Sequence, residues 1–251
     1  MSLPEADLGP GTDARLEPAD RLRRRSPWAR AVRRFAGDRA AVTGLGVVAT
    51  FFLVALGVWL GWWGGNWAET GGGQWQPPSA RYWLGTTILG QDIFARAVYS
   101  TRTAFEIGLV VAVSSTLLGG LFGALSGYFA HSPVDATILW LKGVLDSIPF
   151  YLFVAAVAFA LDGQPFAMHI AMIATFWTTT ARLVRGEVIK LKRLEFVEAA
   201  RSVGLATPRI IVRHIVPNTF HILLVQATIV FVAAIKSEVI LSFLGLGVQD
   251  G

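Results

Sequence analysis

Residues 41–63 carry no charge for 23 consecutive positions. A helix of that length, at about 1.5 Å per residue, covers roughly 34 Å, and a hydrocarbon core is about 30 Å thick. The run therefore predicts a membrane-spanning helix. Its far end holds Trp59, Trp62 and Trp63, where an interfacial belt of indoles belongs. Composition agrees: 53% of residues are hydrophobic and 16% charged, against about 45–50% and 25% in ordinary soluble chains.

Four further stretches fit the same measure with decreasing clarity. Residues 107–134 are free of charge, with a span ending near Phe129 and Gly108, Gly119, Gly120, Gly123 and Gly127 recurring along it. In lipid, such small residues mark close helix packing. Residues 147–161 number only 15 and reach full length by extending back through Lys142 and Asp146, which four positions apart pair on one helix face. The fourth span covers about 164–181. The fifth covers about 219–241, with Lys236 and Glu238 near its end. The expectation is an all-α, polytopic membrane protein with about five transmembrane helices.

Charge gives the topology. Of 22 Lys and Arg, nine Arg lie within residues 15–39 and eight Lys or Arg within 182–213. Four spans separate the two blocks, so both emerge on one side, and the positive-inside rule makes that side the cytoplasm. The chain divides into a cytoplasmic N-terminal tail, 1–39, whose acidic first 20 residues read as disordered, and a membrane domain, 40–251. Residues 64–100 are then external, with Gly71-Gly72-Gly73 and Pro77-Pro78 marking irregular backbone. Bases confined to two such blocks argue against nucleic acid as a partner. An export signal is the other reading of the first block, and Val32-Arg33-Arg34-Phe35 faintly resembles a twin-arginine motif. The apolar run that follows is too long for a signal core, and no small-residue cleavage site follows it.

Residues 182–217 form the most informative loop. Within it, residues 195–202 favour a short amphipathic helix, Gly204 suits the left-handed position just past its end, and Thr207-Pro208 restarts a helix with Thr as cap and Pro in the first turn. Ala199 and Ala200 leave part of the short helix nearly bare, so another surface can approach closely, while Glu198 and Arg201 fix its register. The alternative is a solvated basic loop held by charge pairs.

Glu198-Ala199-Ala200, then Gly204, then Pro217 thirteen positions further on resembles the EAA loop of the membrane permeases of binding-protein-dependent ABC importers. The wording around it is similar to the dipeptide/oligopeptide branch: residues 181–187 (ARLVRGE), 197–201 (VEAAR) and 213–218 (RHIVPN). Arg33-Arg34-Phe35, Leu84-Gly85-Thr86, Leu89-Gly90-Gln91-Asp92 and residues 241–247 (LSFLGLG) extend the resemblance over nearly the whole chain after residue 30. It implies a type I permease fold and an inner-membrane location with the N-terminus cytoplasmic. Glu198, Ala199, Ala200, Arg201, Gly204 and Pro217 become a loop that couples a partner's ATP hydrolysis to alternating access. Glu238, which stands where the family has a Glu shortly before Ser-Phe-Leu-Gly, becomes a candidate for the translocation pathway.

The implied partners are a second permease subunit, two cytoplasmic ATP-binding subunits, an external solute-binding protein and membrane lipid. The implied cargo is di- or oligopeptides, with nickel or another small solute as the alternative. Two departures bear on this. Thr87 and Gln91 stand where the branch has Asp and Arg, which removes a charge pairing at the external mouth. The family also carries a sixth span where this chain has five, so the resemblance implies a C-terminally truncated permease.

The chain's own chemistry excludes the motor. No Gly-Lys pair exists to build a phosphate loop, no G-x-S-x-G elbow occurs, and with no Cys and four His lacking ligand spacing no metal site is written in the sequence. His169 reads as a packed polar residue, and His214 with His221 as interfacial side chains. No cofactor is expected. A membrane-embedded enzyme would need clustered ionisable groups at bilayer depth, and a secondary transporter would need repeated, broken helices.

Overall fold

The computed structural model describes residues 27–161, 164 and 166–245, with side chains from residue 32 onward. The expectations for residues 1–20 and for the segment after Gly245 fall outside the described residues. The chain divides into two compact units, residues 1–53 and 54–251. Every element named among the described residues is helical, and one isolated bridge, Thr86 to Asp92, is the strand-like contact.

In the first unit, α1 (Pro27–Gly37) carries Arg33 and Arg34 and stops at Asp38, whose carboxylate accepts from the Ala40 and Ala41 amides at 2.9 and 3.2 Å and so caps the next helix. That helix, α2 (Arg39–Trp59), is the apolar run of the sequence. Leu45, Val47, Val48, Phe51 and Leu53 on it are all exposed. A run of apolar side chains of this length is what a membrane span presents. In the second unit α2 ends with the Trp63 ring laid over Gly57, its indole N–H donating to the Val54 carbonyl at 3.0 Å.

The long helix α3 (Ile93–Tyr128) is the spine of the second unit. Its glycines say how its neighbours lie. A Cβ at Gly119, Gly123 or Gly127 would stand 2.7, 2.7 and 2.8 Å from the carbonyls of Trp177, Ala181 and Arg185 on α6 (Ala167–Leu191). The two series rise together, so α3 and α6 run parallel with backbones in near contact, the arrangement small residues four apart permit. Gly108 faces Phe231 and Gly120 faces Leu223 on α9 (Val216–Phe243), a descending series that makes α9 antiparallel to α3.

The expected third span is not one helix. Residues 133–160 form α4 (Pro133–Asp146) and α5 (Phe150–Ala160), bent by 91° at the break between them, where Pro149 denies the chain a continuous ladder. Asp135 and Asp146, eleven residues or about 16 Å apart along α4, reach Arg185 and Arg182, only three residues apart on α6. Helix α4 therefore crosses α6 steeply. After the bend, Phe150 stacks on Phe176 with centroids 5.0 Å apart, and Val154 enters a core with Ile107, Val111, Met172 and Val230.

Three described helices are long and apolar enough to cross a membrane: α2, α3 and the continuous helix Thr207–Phe243 that contains α9; the bent pair would make a fourth. The expected fourth span, α6, has 25 residues, but Arg182, Arg185, Glu187 and Lys190 occupy its last ten. The charges at its end separate it from the others by composition, not by length.

Residues 60–92 are irregular, as their Gly and Pro content predicts, yet tightly folded. The Thr86 hydroxyl, fully buried, donates to the Gly73 carbonyl at 2.6 Å and accepts from the Gln76 amide at 2.8 Å. Asp92 caps α3 through the Phe94 amide at 2.8 Å. Thr87 and Gln91, the two departures, have local roles: the Thr87 hydroxyl accepts from the Leu89 and Gln91 backbone amides, and the side-chain oxygen Oε1 of the buried Gln91 accepts from Arg96. A hydrogen bond from a guanidinium to an amide stands here.

Candidate functional site

Much of the expected loop 182–217 is helical. Helix α6 continues ten residues past Ala181, a turn at residues 192–194 follows, and α7 (Glu195–Ser202) occupies the predicted positions. Glu195 and Glu198 lie in its first turn and Arg201 in its last, the order that suits a helix dipole. Gly204 sits at φ +81°; its amide donates to the Arg201 carbonyl at 2.8 Å, and the Leu205 amide donates to the Ala200 carbonyl at 3.1 Å. This pair of bonds is a Schellman motif, and Leu205 tucks against the core beneath it.

One face of α7 is committed to its own chain. Val197 and Ala200 are buried in a core with Ala124, Tyr128, Val188, Leu191, Ile210 and Ile215. Only half of the expected bare patch therefore faces out: Ala199 is exposed and Ala200 is not. Glu195, Phe196, Glu198 and Val203 complete the exposed face, Val203 at 82%. Arg201 does not pair with Glu198. Its guanidinium lies 5.3 Å from the centre of the Tyr128 ring, and the Lys192 ammonium lies 5.4 Å from the same ring while donating to the Tyr128 carbonyl at 2.6 Å.

The restart differs slightly from expectation. Ala206 takes the cap position without a side-chain hydrogen bond, and Thr207 and Pro208 are the first two residues of the short helix α8 (Thr207–Ile210). Residues 211–215 then widen into a π turn, with the Val216 amide donating to the Ile211 carbonyl. Pro217, exposed at the start of α9, explains the widening. It has no N–H for the carbonyl four residues back and its ring crowds that carbonyl. The Asn218 side chain takes up the next one, donating to His214 at 2.6 Å.

Glu238 is remote from this cluster. It is half-buried on α9, accepts from the Ser242 hydroxyl at 2.7 Å, and lies 23 residues, or about 34 Å of helix, beyond Ile215. Lys142 and Asp146 pair as expected at 2.5 Å, and Arg182 joins them at 3.2 Å. His169 is buried against the Phe166 ring, and among the described residues neither ring nitrogen has a partner. Also among the described residues, no group of three or more His, Asp or Glu could hold a metal ion.

The sequence reading missed Asp135. Its buried carboxylate accepts from Arg185 Nε and Nη2 at 2.9 and 2.8 Å, from the Ser126 hydroxyl at 2.5 Å and from the His131 amide at 2.9 Å. Ser132-Pro133-x-Asp135 is a helix-start signature, and that was its one local signal; the Arg partner is 50 positions away.

A parallel pair of glycine-faced helices, an antiparallel third and a self-anchored helix at one end make a polytopic α-helical membrane protein. The chain belongs to the binding-protein-dependent transport system inner membrane components, whose family model matches residues 119–250, while residues 26–65 match the N-terminal TM domain of oligopeptide transport permease C. It is similar to the oligopeptide transport system permease protein OppC of Mycobacterium tuberculosis, 39% identical over 176 residues covering 69% of this chain and 60% of that protein. It is likewise 33% identical to the dipeptide transport system permease protein DppC of Alkalihalophilus pseudofirmus over 233 residues, 92% of this chain and 76% of that one. The chain spans about 60% of the length of the first-named relative.

Proposed function

We propose that this chain is a translocation-pathway subunit of an ATP-driven importer for di- or oligopeptides, and that α7 is the element on which an ATP-hydrolysing partner bears. The observation that carries the reading is the division of α7 into two faces. Val197 and Ala200 share a core with Ala124 and Tyr128 at the end of α3, Val188 and Leu191 at the end of α6, and Ile210 and Ile215 just before α9, while Glu198 and Ala199 are exposed. A helix seated on this shared core can pass a push on its outer face to the ends of α3 and α6 and to the start of the segment that leads into α9. Closure of a partner then shifts the bundle only insofar as its contacts with α7 differ between two states.

In this reading two cytoplasmic ATP-binding subunits, a second permease and an external solute-binding protein complete the machine, and the N-terminus is cytoplasmic. The names of the relatives support peptides as cargo. Gly204 and Pro217 shape the coupling element, Arg201 steadies it on Tyr128, and Glu238 lines the path near the other end of α9. The test is detergent co-purification of the tagged chain with its ATPase. Retention by wild type and loss in Glu198→Lys, with membrane insertion unchanged, is the expected result. An ATPase that stays bound to Glu198→Lys would overturn the assignment of α7.

A further inference from the structure

Two helices of the bundle are locked to each other and a third is not. At Gly119, Gly123 and Gly127 the atoms that a Cβ would meet include backbone carbonyls of α6 at 2.7–2.8 Å. Arg185 of α6 also holds the Asp135 carboxylate to which the Ser126 hydroxyl of α3 donates. Backbone against backbone leaves no play. At Gly108 and Gly120, where α3 faces α9, the atoms a Cβ would meet are the Phe231 ring and the Leu223 methyls, ends of side chains that can change rotamer. Among the described residues no side chain of α9 bonds to the Asp135 carboxylate.

Two buried polar side chains lie between those two α9 contacts. Thr116 stands one turn before Gly120 on α3, and Gln226 one turn after Leu223 on α9. In antiparallel helices both steps lead the same way, so the two residues share one level of the same contact. Thr116 is 6% exposed and its hydroxyl oxygen has no partner; Gln226 is 4% exposed and, among the described residues, its side-chain amide makes no hydrogen bond. Elsewhere in these helices hydroxyls are tied to their own backbone, as Ser115 is to the Val111 carbonyl at 2.6 Å and Thr219 to the Val216 carbonyl at 2.9 Å. Thr180, the other buried hydroxyl without a partner among the described residues, lies over Gly119 in the locked contact. An amide and a hydroxyl left unpaired in an apolar bundle cost free energy, and one hydrogen bond between them removes that cost.

The root of α9 is also jointed. The π turn at residues 211–215 and Pro217 interrupt the regular ladder just where α9 begins, and helices bend where the ladder is interrupted. We propose that α9 swings on this joint between two positions against a fixed α3–α6 pair, the second position being held by a hydrogen bond between Gln226 and Thr116. The motion belongs to the chain itself and does not depend on the role given to α7. It supplies two states of the bundle, which any partner that drives transport must tell apart.

The experiment uses the full chain, which has no Cys of its own, in lipid nanodiscs. Nitroxide labels on exposed positions report distances by pulsed electron double resonance: Leu117→Cys with Ile229→Cys across α3 and α9, and Leu117→Cys with Leu183→Cys across α3 and α6. The first pair should show two distance populations and the second pair one. Thr116→Val and Gln226→Leu, each close in shape to the residue it replaces, should each abolish the second population of the first pair, and the double variant should do no more. Either single variant suffices if the other fails to fold. A single population across α3 and α9, or two populations across both pairs, would overturn the proposal, as would a second population that survives Thr116→Val and Gln226→Leu. Pro217→Ala, which restores a backbone donor, should reduce the second population; no change there would overturn the joint.

Discussion

Arg185 grips Asp135 with two parallel N–H···O bonds, 2.9 and 2.8 Å, across 50 residues of sequence. The Asp135 side chain is 3% exposed and the Arg185 side chain 24%. With the Ser126 hydroxyl and the His131 amide on the same carboxylate, this one group joins the end of α3, the start of α4 and the last third of α6. It lies two turns or less from Tyr128, the ring on which Arg201 of α7 rests. The helix proposed to face a partner thus rests, through Arg201 and Tyr128, on the end of α3 that this carboxylate ties to α4 and α6.

A buried charge left without its partner is expensive. Asp135→Ala and Arg185→Ala should each destabilise the chain by about 3–5 kcal/mol, and the double variant by clearly less than the sum. Reversible unfolding in detergent micelles measures all three. Additive losses would mean that the two side chains do not act as a pair.

The contact between α3 and α6 is a matter of backbone approach. A Cβ at Gly123 would stand 2.7 Å from the Ala181 carbonyl, and backbone cannot swing away as a flexible side chain does. Gly123→Val should cost about 1–3 kcal/mol or more. Gly186→Ala is the matched control, since nothing lies within 4 Å of that position on α6; there the gain in helix propensity should stabilise by about 0.5–1 kcal/mol. Thermal melts of the two variants in one detergent give opposite signs if the packing is as described.

Gly204 terminates α7 in the left-handed region, where an L side chain costs roughly 1–2 kcal/mol. Space around it is open, so the cost is conformational and falls on β-branched residues above all. Gly204→Val should speed hydrogen exchange at the Gly204-position and Leu205 amides, which close the cap, while Gly204→Asn retains most of their protection. Exchange unchanged in the Val variant would show that the cap is not held by this conformation.

Local chemistry was legible in the sequence, and its tertiary use was not. The bounds of α7, the left-handed Gly204 and the i,i+4 pair of Lys142 with Asp146 follow from neighbouring residues and appear as expected. The α4–α5 bend was signalled by Pro149 but hidden by the need for a full-length span. Arg185 with Asp135, and Arg201 with Tyr128, join residues 50 and 73 positions apart, and no periodicity encodes such pairs. The two faces of α7 belong to this class: Ala199 and Ala200 are alike as sequence, and only the packing of Tyr128 and Ile215 decides which one is inside.

That distinction gives the sharpest test of the proposed role. Ala200 fills a core position where added volume has nowhere to go, so Ala200→Leu should lower thermal stability by about 1–3 kcal/mol. Ala199→Leu adds the same atoms to the exposed face and should leave stability within about 0.5 kcal/mol. If a partner closes over that face, Ala199→Leu should nonetheless reduce ATPase co-purification and peptide uptake, because the clash exists only in the complex. A stable Ala199→Leu chain with full uptake would place the partner's contact elsewhere, while an unstable one would mean that the face is part of the fold.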